Sequence, residues 1–249
     1  MQRAIAVFDI DGVVRDVAGS YLRALADTVE HFTDGAFRPS LEQVDDLKAE
    51  GQWNNDWEAS QELVYRFFEQ QGQERAGLNL DYQALVDFFQ HRYRGTDWTG
   101  YIRDEPLLLS ADYLESLTAA GVGWGFFSGA TRASATYVLE GRLGLRAPLL
   151  VAMEDAPGKP DPTGLLMAVS KLAPEPPVTV FYVGDTVADM QTVERARTIG
   201  PEFTWRGVGI IPPHVKTRSD YARKLSDAGA AIVLEAVDQL NASLMLDLS

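Results

Sequence analysis

The sequence predicts an α/β fold: a doubly wound, mostly parallel sheet covered by helices on both faces, with an all-helical insert after the first strand. Three observations favour this fold. A short apolar run at 4–8 opens the chain, and the stretch from about 20 to 94 shows only helical spacing of apolar residues. From about residue 107, short apolar runs alternate with helical patterns. The 249 residues leave room for a core and a smaller insert.

The spacing of apolar residues predicts the elements in order. Within the insert, apolar residues three and four apart predict helices at Tyr21–Phe32, Leu41–Glu50, Ala59–Gln70 and Tyr82–Tyr93. After the first strand, Ala4–Phe8, further apolar runs predict strands at Val122–Phe127, Leu149–Met153, Val178–Val183, Gly207–Ile211 and Ala231–Leu234. The helices predicted around these strands are Ser110–Ala119, Ala133–Arg142, Pro162–Lys171, Val187–Thr198, Arg218–Asp227 and Glu235–Leu246. The core is predicted at 1–17 and 99–249, and the insert at 18–98.

Charge and composition argue against several functional classes. A formal net charge of -14 repels the phosphates of nucleic acids and anionic lipid surfaces. With no cysteine, the chain has no disulfide framework, thiolate nucleophile or cysteine metal site. No apolar run is long enough to span a bilayer, and the first strand begins too early to leave room for a signal peptide. We therefore expect a cytoplasmic protein without nucleic-acid or membrane partners; the sequence does not indicate its oligomeric state.

The first strand ends in two carboxylates that lie two residues apart. Asp9 and Asp11 follow the apolar run at 4–8, and Gly12 lets the chain turn beside them. Because side chains alternate between the faces of a strand, the two aspartates point the same way if the strand continues. Carboxylates that are held together and lose hydration favour a divalent cation or a shared proton. The alternative is that Asp9 only caps the following turn.

Polar groups also follow two later strands. Ser128 and Gly129 come after the strand at 122–127 and lead into a helix, where a hydroxyl and backbone amides can bind an anion. An ordinary N-cap is the alternative there. Lys159 follows the strand at 149–153, and the proline after it fixes the path of the chain. Its ammonium is predicted near the carboxylates, with a surface lysine as the alternative.

A second carboxylate pair follows the strand at 178–183. Asp185 ends this strand, and Asp189 lies one helical turn later on the same side. Both can bind a cation that prefers oxygen ligands, such as Mg²⁺; helix capping by Asp185 is the alternative. Ligands in open α/β sheets bind at the carboxyl ends of the strands. The sequence therefore predicts that these polar groups meet at one edge of the sheet.

Taken together, these motifs resemble those of the haloacid dehalogenase superfamily of phosphohydrolases. In the order of the superfamily, the matching segments are Phe8–Val13, Phe126–Gly129, Lys159–Pro160 and Gly184–Asp189. The insert between the first two motifs resembles the mobile helical cap of subfamily IA, which includes enzymes similar to phosphoglycolate phosphatase and β-phosphoglucomutase. The resemblance implies a Rossmann-like core and an α-helical cap placed over the site.

The resemblance also implies a Mg²⁺-dependent phosphatase that hydrolyses a small phosphate monoester through an aspartyl-phosphate. Asp9 would be the nucleophile and Asp11 the general acid and base. Ser128, Gly129 and Lys159 would bind the transferring phosphoryl group. The implied metal ligands are Asp9, the backbone carbonyl of Asp11, Asp185 and, in support, Asp189. A phosphomutase of the same superfamily and a non-catalytic binding protein on this fold are the alternatives.

The residue at position 15 departs from the pattern of the superfamily. Many relatives carry a small or apolar residue there, whereas this chain has Arg15. Its guanidinium could reach the substrate or pair with the acidic insert. The alternative is a solvated arginine at the hinge between core and insert.

The least helix-like segment of the insert is 51–57, which is rich in polar and aromatic residues. In capped relatives a loop at this place closes over the leaving group. Asn54, Asn55 and Asp56 are therefore predicted to hydrogen-bond a hydroxylated substrate, such as a sugar or polyol phosphate. Alternatively, the tryptophans of this segment pack in the cap while the asparagines form Asx turns.

Overall fold

The structure is a computed structural model that describes residues 4–53, 55–172 and 176–249. The described residues form two compact units, one within Met1–Asp16 and Leu107–Ser249 and the other within Val17–Pro106. The insert predicted at 18–98 lies inside the smaller unit. The α-helices are α1 (Tyr21–Phe32), α2 (Leu41–Ala49), α3 (Asp56–Gln70), α4 (Tyr82–Tyr93), α5 (Ala111–Ala119), α6 (Arg132–Thr136), α7 (Thr163–Leu172), α8 (Val187–Ile199), α9 (Arg218–Asp227) and α10 (Ala242–Asp247).

The larger unit contains a six-stranded sheet in the order β3-β2-β1-β4-β5-β6. Its strands are β1 (Ala4–Phe8), β2 (Val122–Phe127), β3 (Leu150–Val151), β4 (Thr179–Gly184), β5 (Thr204–Ile210) and β6 (Ala230–Leu234). All of the described pairings are parallel, and Phe8 of β1 lies opposite Phe126 and Val183. The prediction of a parallel sheet interrupted by a helical insert is confirmed. Because β1 lies between β2 and β4, the residues that follow these three strands meet at the carboxyl edge of the sheet.

Burial on both faces explains why these strands consist of apolar runs. All five residues of β1 are buried, as are all six of β4. One core cluster brings Val7 of β1 and Tyr182 of β4 together with Leu165 of α7 and Trp205 of β5. A parallel sheet with helices on both faces has no polar side, so its central strands do not alternate between apolar and polar residues.

The smaller unit is helical throughout its regular elements, with α1 packed against α3 and α4. The ring of Tyr21 lies 4.3 Å from that of Tyr93 and 5.0 Å from that of Phe89, measured between centroids. Leu25 and Leu85 are fully buried in the same unit. Such edge-to-face aromatic pairs add to the burial of apolar area in a small core.

Several predicted boundaries differ from those in the structure. The helix predicted at 235–246 is divided into a 3₁₀ turn, Val237–Gln239, and α10, because Asn241 caps α10 by accepting a hydrogen bond from the Leu244 amide at 3.0 Å. The strand β5 begins three residues before the predicted 207, since Thr204 and Arg206 interrupt the apolar pattern. Among the described residues, no helix is long and apolar enough to cross a membrane.

Candidate active site

Three carboxylates converge at the carboxyl edge of the sheet. Asp9 follows β1, Asp185 follows β4 and Asp189 lies in the first turn of α8. One oxygen of each carboxylate lies within 4.8 Å of the others, a spacing that allows the three to surround one cation. Asp9 is 6% exposed and Asp189 is fully buried. Burial of like charges at this distance is costly unless cations or hydrogen bonds balance them.

Asp189 already accepts four hydrogen bonds from the chain. Its Oδ1 accepts from Lys159 Nζ at 2.6 Å and from the Tyr182 hydroxyl at 3.1 Å. Its Oδ2 accepts from the amide and the hydroxyl of Thr186, at 3.0 and 2.6 Å. A carboxylate has about four lone-pair positions. The geometry therefore favours Asp189 as the residue that orients Lys159, and leaves Asp9 and Asp185 as the carboxylates better placed to bind a cation.

Lys159 bridges two of the carboxylates. Its Nζ lies 2.8 Å from Asp9 Oδ2 and 2.6 Å from Asp189 Oδ1, and its side chain is only 9% exposed. The ammonium also lies 5.4 and 5.5 Å from the ring centroids of Phe127 and Tyr182. Burial lowers the pKa of Lys159, but the charges of Asp189 and Asp9 outweigh this and raise the net pKa above its usual value. The alternative of a surface lysine is wrong.

Asp9 is fixed in orientation and carries a strongly perturbed pKa. Its Oδ1 accepts a hydrogen bond from the Ile10 amide at 2.7 Å, while Oδ2 contacts Lys159. Burial raises the pKa of Asp9 to about 6. The ammonium of Lys159 acts in the opposite direction, and the charges of Asp189 and Asp11 add to the rise. A bound divalent cation would stabilise the ionised form of this carboxyl group.

Two glycines allow the carboxylates to approach the backbone closely. Gly12 has a φ of +75°, and a Cβ at this position would lie 2.1 Å from Asp185 Oδ2. A Cβ on Gly184 would lie 2.3 Å from Asp189 Cγ. The positive φ agrees with the turn expected at Gly12. The sequence pattern did not indicate that Gly12 must also leave space for the carboxylate of Asp185, which lies far along the chain.

Ser128 is the residue directly after β2, in which Phe126 lies opposite Phe8 of β1. Ser128 therefore lies at the same carboxyl edge of the sheet as Asp9. It is 1% exposed, and its Oγ accepts a hydrogen bond from the Ala130 amide at 3.2 Å. The N-cap residue of α6 is Thr131, so the alternative of an ordinary Ser or Thr N-cap agrees with the structure at Thr131 and not at Ser128. Gly129 is exposed. Anion binding by Ser128 and Gly129 stays a prediction.

The amino end of α6 differs from the expected anion site. The amide of Arg132 donates to both carboxylate oxygens of Glu154, at 2.8 and 3.1 Å. The guanidinium of Arg132 pairs with Asp155 on the same loop. The first amide of the helix is therefore already hydrogen-bonded to a carboxylate of the chain itself. Any phosphate bound here would use the turn before the helix, because the helix end itself is capped.

Asp11 pairs with Arg15, which the sequence left without an assigned role. The side chain of Arg15 is fully buried, whereas that of Asp11 is 30% exposed. Nε and Nη2 of Arg15 lie 2.7 and 2.5 Å from Asp11 Oδ1. The interpretation of Arg15 as a solvated arginine is therefore wrong. Sequence spacing alone could not reveal the pair. Residues four apart regularly face each other only in a helix, and this segment is a turn.

The loop predicted to contact substrate makes local contacts in the smaller unit. Asn55 caps α3 by accepting a hydrogen bond from the Trp57 amide at 3.0 Å, as in the Asx alternative. This cap is why α3 begins at Asp56, three residues before the predicted start. Asp56 pairs with Lys48 at 2.7 Å. Asn54 lies outside the described residues. Substrate contact by Asn54, Asn55 and Asp56 stays a prediction.

Two tyrosines that the sequence reasoning missed support the site. The hydroxyl of Tyr182 lies 3.1 Å from Asp189 Oδ1 and 3.2 Å from the Phe127 carbonyl, and Tyr182 is fully buried. Burial, followed by the charge of Asp189, raises the pKa of Tyr182 well above its usual value, so the hydroxyl remains a donor. Tyr221 of α9 donates to the Asp185 carbonyl at 2.9 Å. A hydroxyl within the apolar run of β4 was the available signal for Tyr182.

Known proteins resemble the chain at the levels of sequence and fold. Residues 4–197 match the family described as haloacid dehalogenase-like hydrolases. An imidazoleglycerol-phosphate dehydratase from Phytophthora nicotianae is 28% identical over 243 residues, which are 96% of this chain and 49% of that protein. The chain thus spans about half the length of this curated relative.

Several solved structures share the fold. A family IA hydrolase of this type from Entamoeba histolytica has 13% identity and a TM-score of 0.67, covering 99% of both chains. A putative β-phosphoglucomutase from Thermotoga maritima has 14% identity and a TM-score of 0.64, covering 99% of this chain and 100% of its own. The phosphatase Tt82 from Thermococcus thioreducens has 22% identity and a TM-score of 0.61, covering 89% and 99%. At these identities the likeness shows the fold alone.

Proposed function

Since the chain belongs to the haloacid dehalogenase-like hydrolases, we propose that it is a Mg²⁺-dependent phosphatase that hydrolyses a small phosphate monoester through an aspartyl-phosphate. The observation that carries the proposal is the arrangement at the carboxyl edge of the sheet. There the buried Asp9 lies beside Asp185 and Asp189, and Lys159 contacts two of the three carboxylates. A nucleophile, oxygen ligands for a metal and a cation for phosphate are thus present in one place.

The donor set fits a hard divalent cation. It consists of oxygens only, and burial, together with the charges of Asp189 and Asp11, raises the pKa of Asp9, a rise that a bound cation would oppose. Asp9 and Asp185, with the backbone carbonyl of Asp11, would hold the metal, while Asp189 supports the site by orienting Lys159. Bound Mg²⁺ would neutralise charge on the transferring phosphoryl group.

In the proposed reaction, a carboxylate oxygen of Asp9 attacks phosphorus and the ester oxygen leaves. Asp11 donates a proton to that oxygen as the bond to phosphorus breaks. Asp11 then removes a proton from the water that attacks the aspartyl-phosphate, which releases phosphate and restores Asp9. Lys159 and Ser128 bind the phosphoryl oxygens during both steps. Both aspartates are also what a phosphomutase needs, and putative β-phosphoglucomutases share the fold.

The net charge of -14 favours a small substrate with few phosphates, since a polyanion would be repelled. The relative from Phytophthora nicotianae is named for imidazoleglycerol phosphate, so this ester is one candidate substrate. Dehydration itself does not carry over to the chain, because the match covers only half of that protein.

The function is tested by phosphate release from sugar, polyol, short-acid and nucleotide monophosphates and from imidazoleglycerol phosphate. Each ester is assayed with Mg²⁺, with EDTA and with the Asp9→Asn variant. We expect Mg²⁺-dependent release from at least one ester. A sugar phosphate that isomerises without releasing phosphate would indicate a mutase. Inertness toward every ester, including p-nitrophenyl phosphate, would contradict both enzymatic functions and favour a binding protein.

Gly12→Ala is expected to weaken Mg²⁺ binding by about tenfold or more, because the new methyl group displaces the carboxylate of Asp185. The matched control is Gly144→Ala, whose glycine has a similar φ of +77° but no atom within 4 Å of the new Cβ. Both variants share a backbone strain of about 1–2 kcal/mol. Isothermal titration calorimetry measures the affinities, and an equal loss in both variants would contradict the expectation.

The affinity for Mg²⁺ should fall as the pH decreases. Because the pKa of Asp9 is raised to about 6, a proton competes with the metal for this carboxylate at lower pH. Below about pH 6 we expect a loss of affinity of up to about tenfold per pH unit. Titration calorimetry at several pH values tests this, and an affinity that does not vary with pH would contradict it.

The same carboxyl group affects the stability of the metal-free protein. Between the two pKa values the folded protein retains a proton that the unfolded chain releases. The group therefore stabilises the metal-free fold at low pH and loses that contribution as the pH rises through about 6.

A further inference from the structure

Arg15 is a buried charge directed at the proposed acid and base. Its side chain has no exposed surface. Taking a guanidinium out of water is costly unless a carboxylate and hydrogen bonds compensate. Nε and Nη2 both contact the same atom, Oδ1 of Asp11, at 2.7 and 2.5 Å. Of these two contacts, the one from Nε is a hydrogen bond and the one from Nη2 is an ion pair. A charge-assisted hydrogen bond from a buried donor therefore holds this oxygen of the carboxylate.

The backbone beneath this pair is a closed turn. The Ile10 carbonyl accepts hydrogen bonds from the amides of residues 13–15 at 2.8–3.3 Å, and the Gly12 amide donates to the Arg15 carbonyl at 2.9 Å. Arg15 also pairs with Leu107 as an isolated antiparallel bridge. The Cα atoms of Asp11 and Arg15 are therefore held at a fixed separation, and only the side chains could change the contact.

Asp11 needs such restraint more than the neighbouring carboxylates do. Its side chain is 30% exposed, whereas Asp9 and Asp189 are held by buried contacts. A partly exposed aspartate without a fixed partner samples several rotamers. Proton transfer requires a donor and acceptor at hydrogen-bond distance in the correct geometry.

We propose that Arg15 is a positioning residue that holds Oδ1 of Asp11, so that Oδ2 carries out the proton transfers; this rests on the proposed phosphatase function. In the first step the proton moves from Oδ2 to the ester oxygen as its bond to phosphorus breaks. In the second step Oδ2 takes a proton from water while the water oxygen bonds to phosphorus and the bond to Asp9 breaks. Arg15 remains protonated throughout, because a guanidinium group is not deprotonated in proteins.

Arg15→Met keeps an unbranched apolar stem and removes the charged guanidinium, including the Nε donor. With an alkyl phosphate we expect kcat to fall by about 10- to 100-fold and KM to change by less than about threefold, since acid and base catalysis as a whole contributes about 10²- to 10⁴-fold. With p-nitrophenyl phosphate the leaving group departs without a proton. The first-turnover burst of p-nitrophenol should therefore keep its rate, while later turnovers become slow because water activation still needs Asp11.

A double-mutant cycle distinguishes positioning from other roles. If Arg15 acts through Asp11, Arg15→Met should cause no further loss of kcat in the Asp11→Asn background. Losses that multiply would overturn the inference, because they would mean that Arg15 contacts substrate directly or supports the fold. Thermal unfolding of each variant reports folding. If Arg15→Met does not fold, Arg15→Lys serves instead, and it should restore only part of the activity because a flexible ammonium cannot reproduce the fixed position of the Nε donor.

The two hypotheses fail in different ways. A wild-type protein that releases phosphate from no ester would remove the proposed function itself. A wild-type protein that is active, with an Arg15→Met variant of unchanged kcat on alkyl phosphates, would overturn only the positioning role.

Discussion

Asp9→Asn is expected to lower kcat for phosphate release by about 10⁴-fold or more while the protein remains folded. An amide cannot replace the carboxylate as a nucleophile, so the covalent route is lost. The fold should tolerate the change, because the new side chain has the same shape and Lys159 keeps its contact with Asp189 at 2.6 Å. Removing a buried carboxyl whose pKa is raised to about 6 also removes a source of repulsion.

Initial rates on the best ester of the panel measure the effect, and mass spectrometry of acid-quenched wild-type protein should find a phosphoryl group on the peptide that contains Asp9. Asp112→Asn is the matched control, since Asp112 is an exposed aspartate on α5 of the same unit. It should retain full activity. More than about 1% residual activity in Asp9→Asn, without a phosphorylated wild-type peptide, would argue against covalent catalysis by this residue.

The sheet was predictable because the burial of each strand determines the pattern of residues within that strand. A central parallel strand is buried on both faces, so β1 and β4 appear as continuous apolar runs in the sequence. The carboxyl ends of such strands share one edge, which placed Asp9 and Asp185 together without any knowledge of contacts. The same reasoning was weak where a strand is short or interrupted. The two-residue β3 and the first residues of β5 show this.

The contacts within the site were less predictable because they join residues that are distant in sequence. Lys159 and Asp189 are 30 residues apart, and their hydrogen bond depends on the positions of α7 and α8 on the sheet. The space that Gly12 leaves for Asp185 has the same origin. Side-chain direction in a turn likewise cannot be inferred from the sequence. A buried Arg15 and a solvated Arg15 give the same pattern of residue types, and only the fold decides between them.

Lys159→Met is expected to remove activity and a large part of the stability at neutral pH. Without the ammonium, the buried carboxylates of Asp9 and Asp189 lose a shared partner at 2.8 and 2.6 Å and repel each other. Breaking a buried ion pair on one side costs about 3–5 kcal/mol. The loss of a cation that binds the phosphoryl group should lower kcat by about 10²- to 10³-fold in whatever protein remains folded.

Urea unfolding with and without Mg²⁺, at acidic and neutral pH, distinguishes the effect of the lost charge from the effect of altered packing in this variant. Protonation of Asp9 relieves the repulsion, and its pKa of about 6 should rise further once Lys159 no longer opposes it. The variant should therefore lose less stability at about pH 5 than at about pH 7.5, and Mg²⁺ should restore part of the loss at the higher pH. Lys171→Met, at an exposed lysine near the end of α7, should behave as wild type. An equal loss at both pH values would mean that Lys159 acts by filling space, and that its charge does not hold the two carboxylates together.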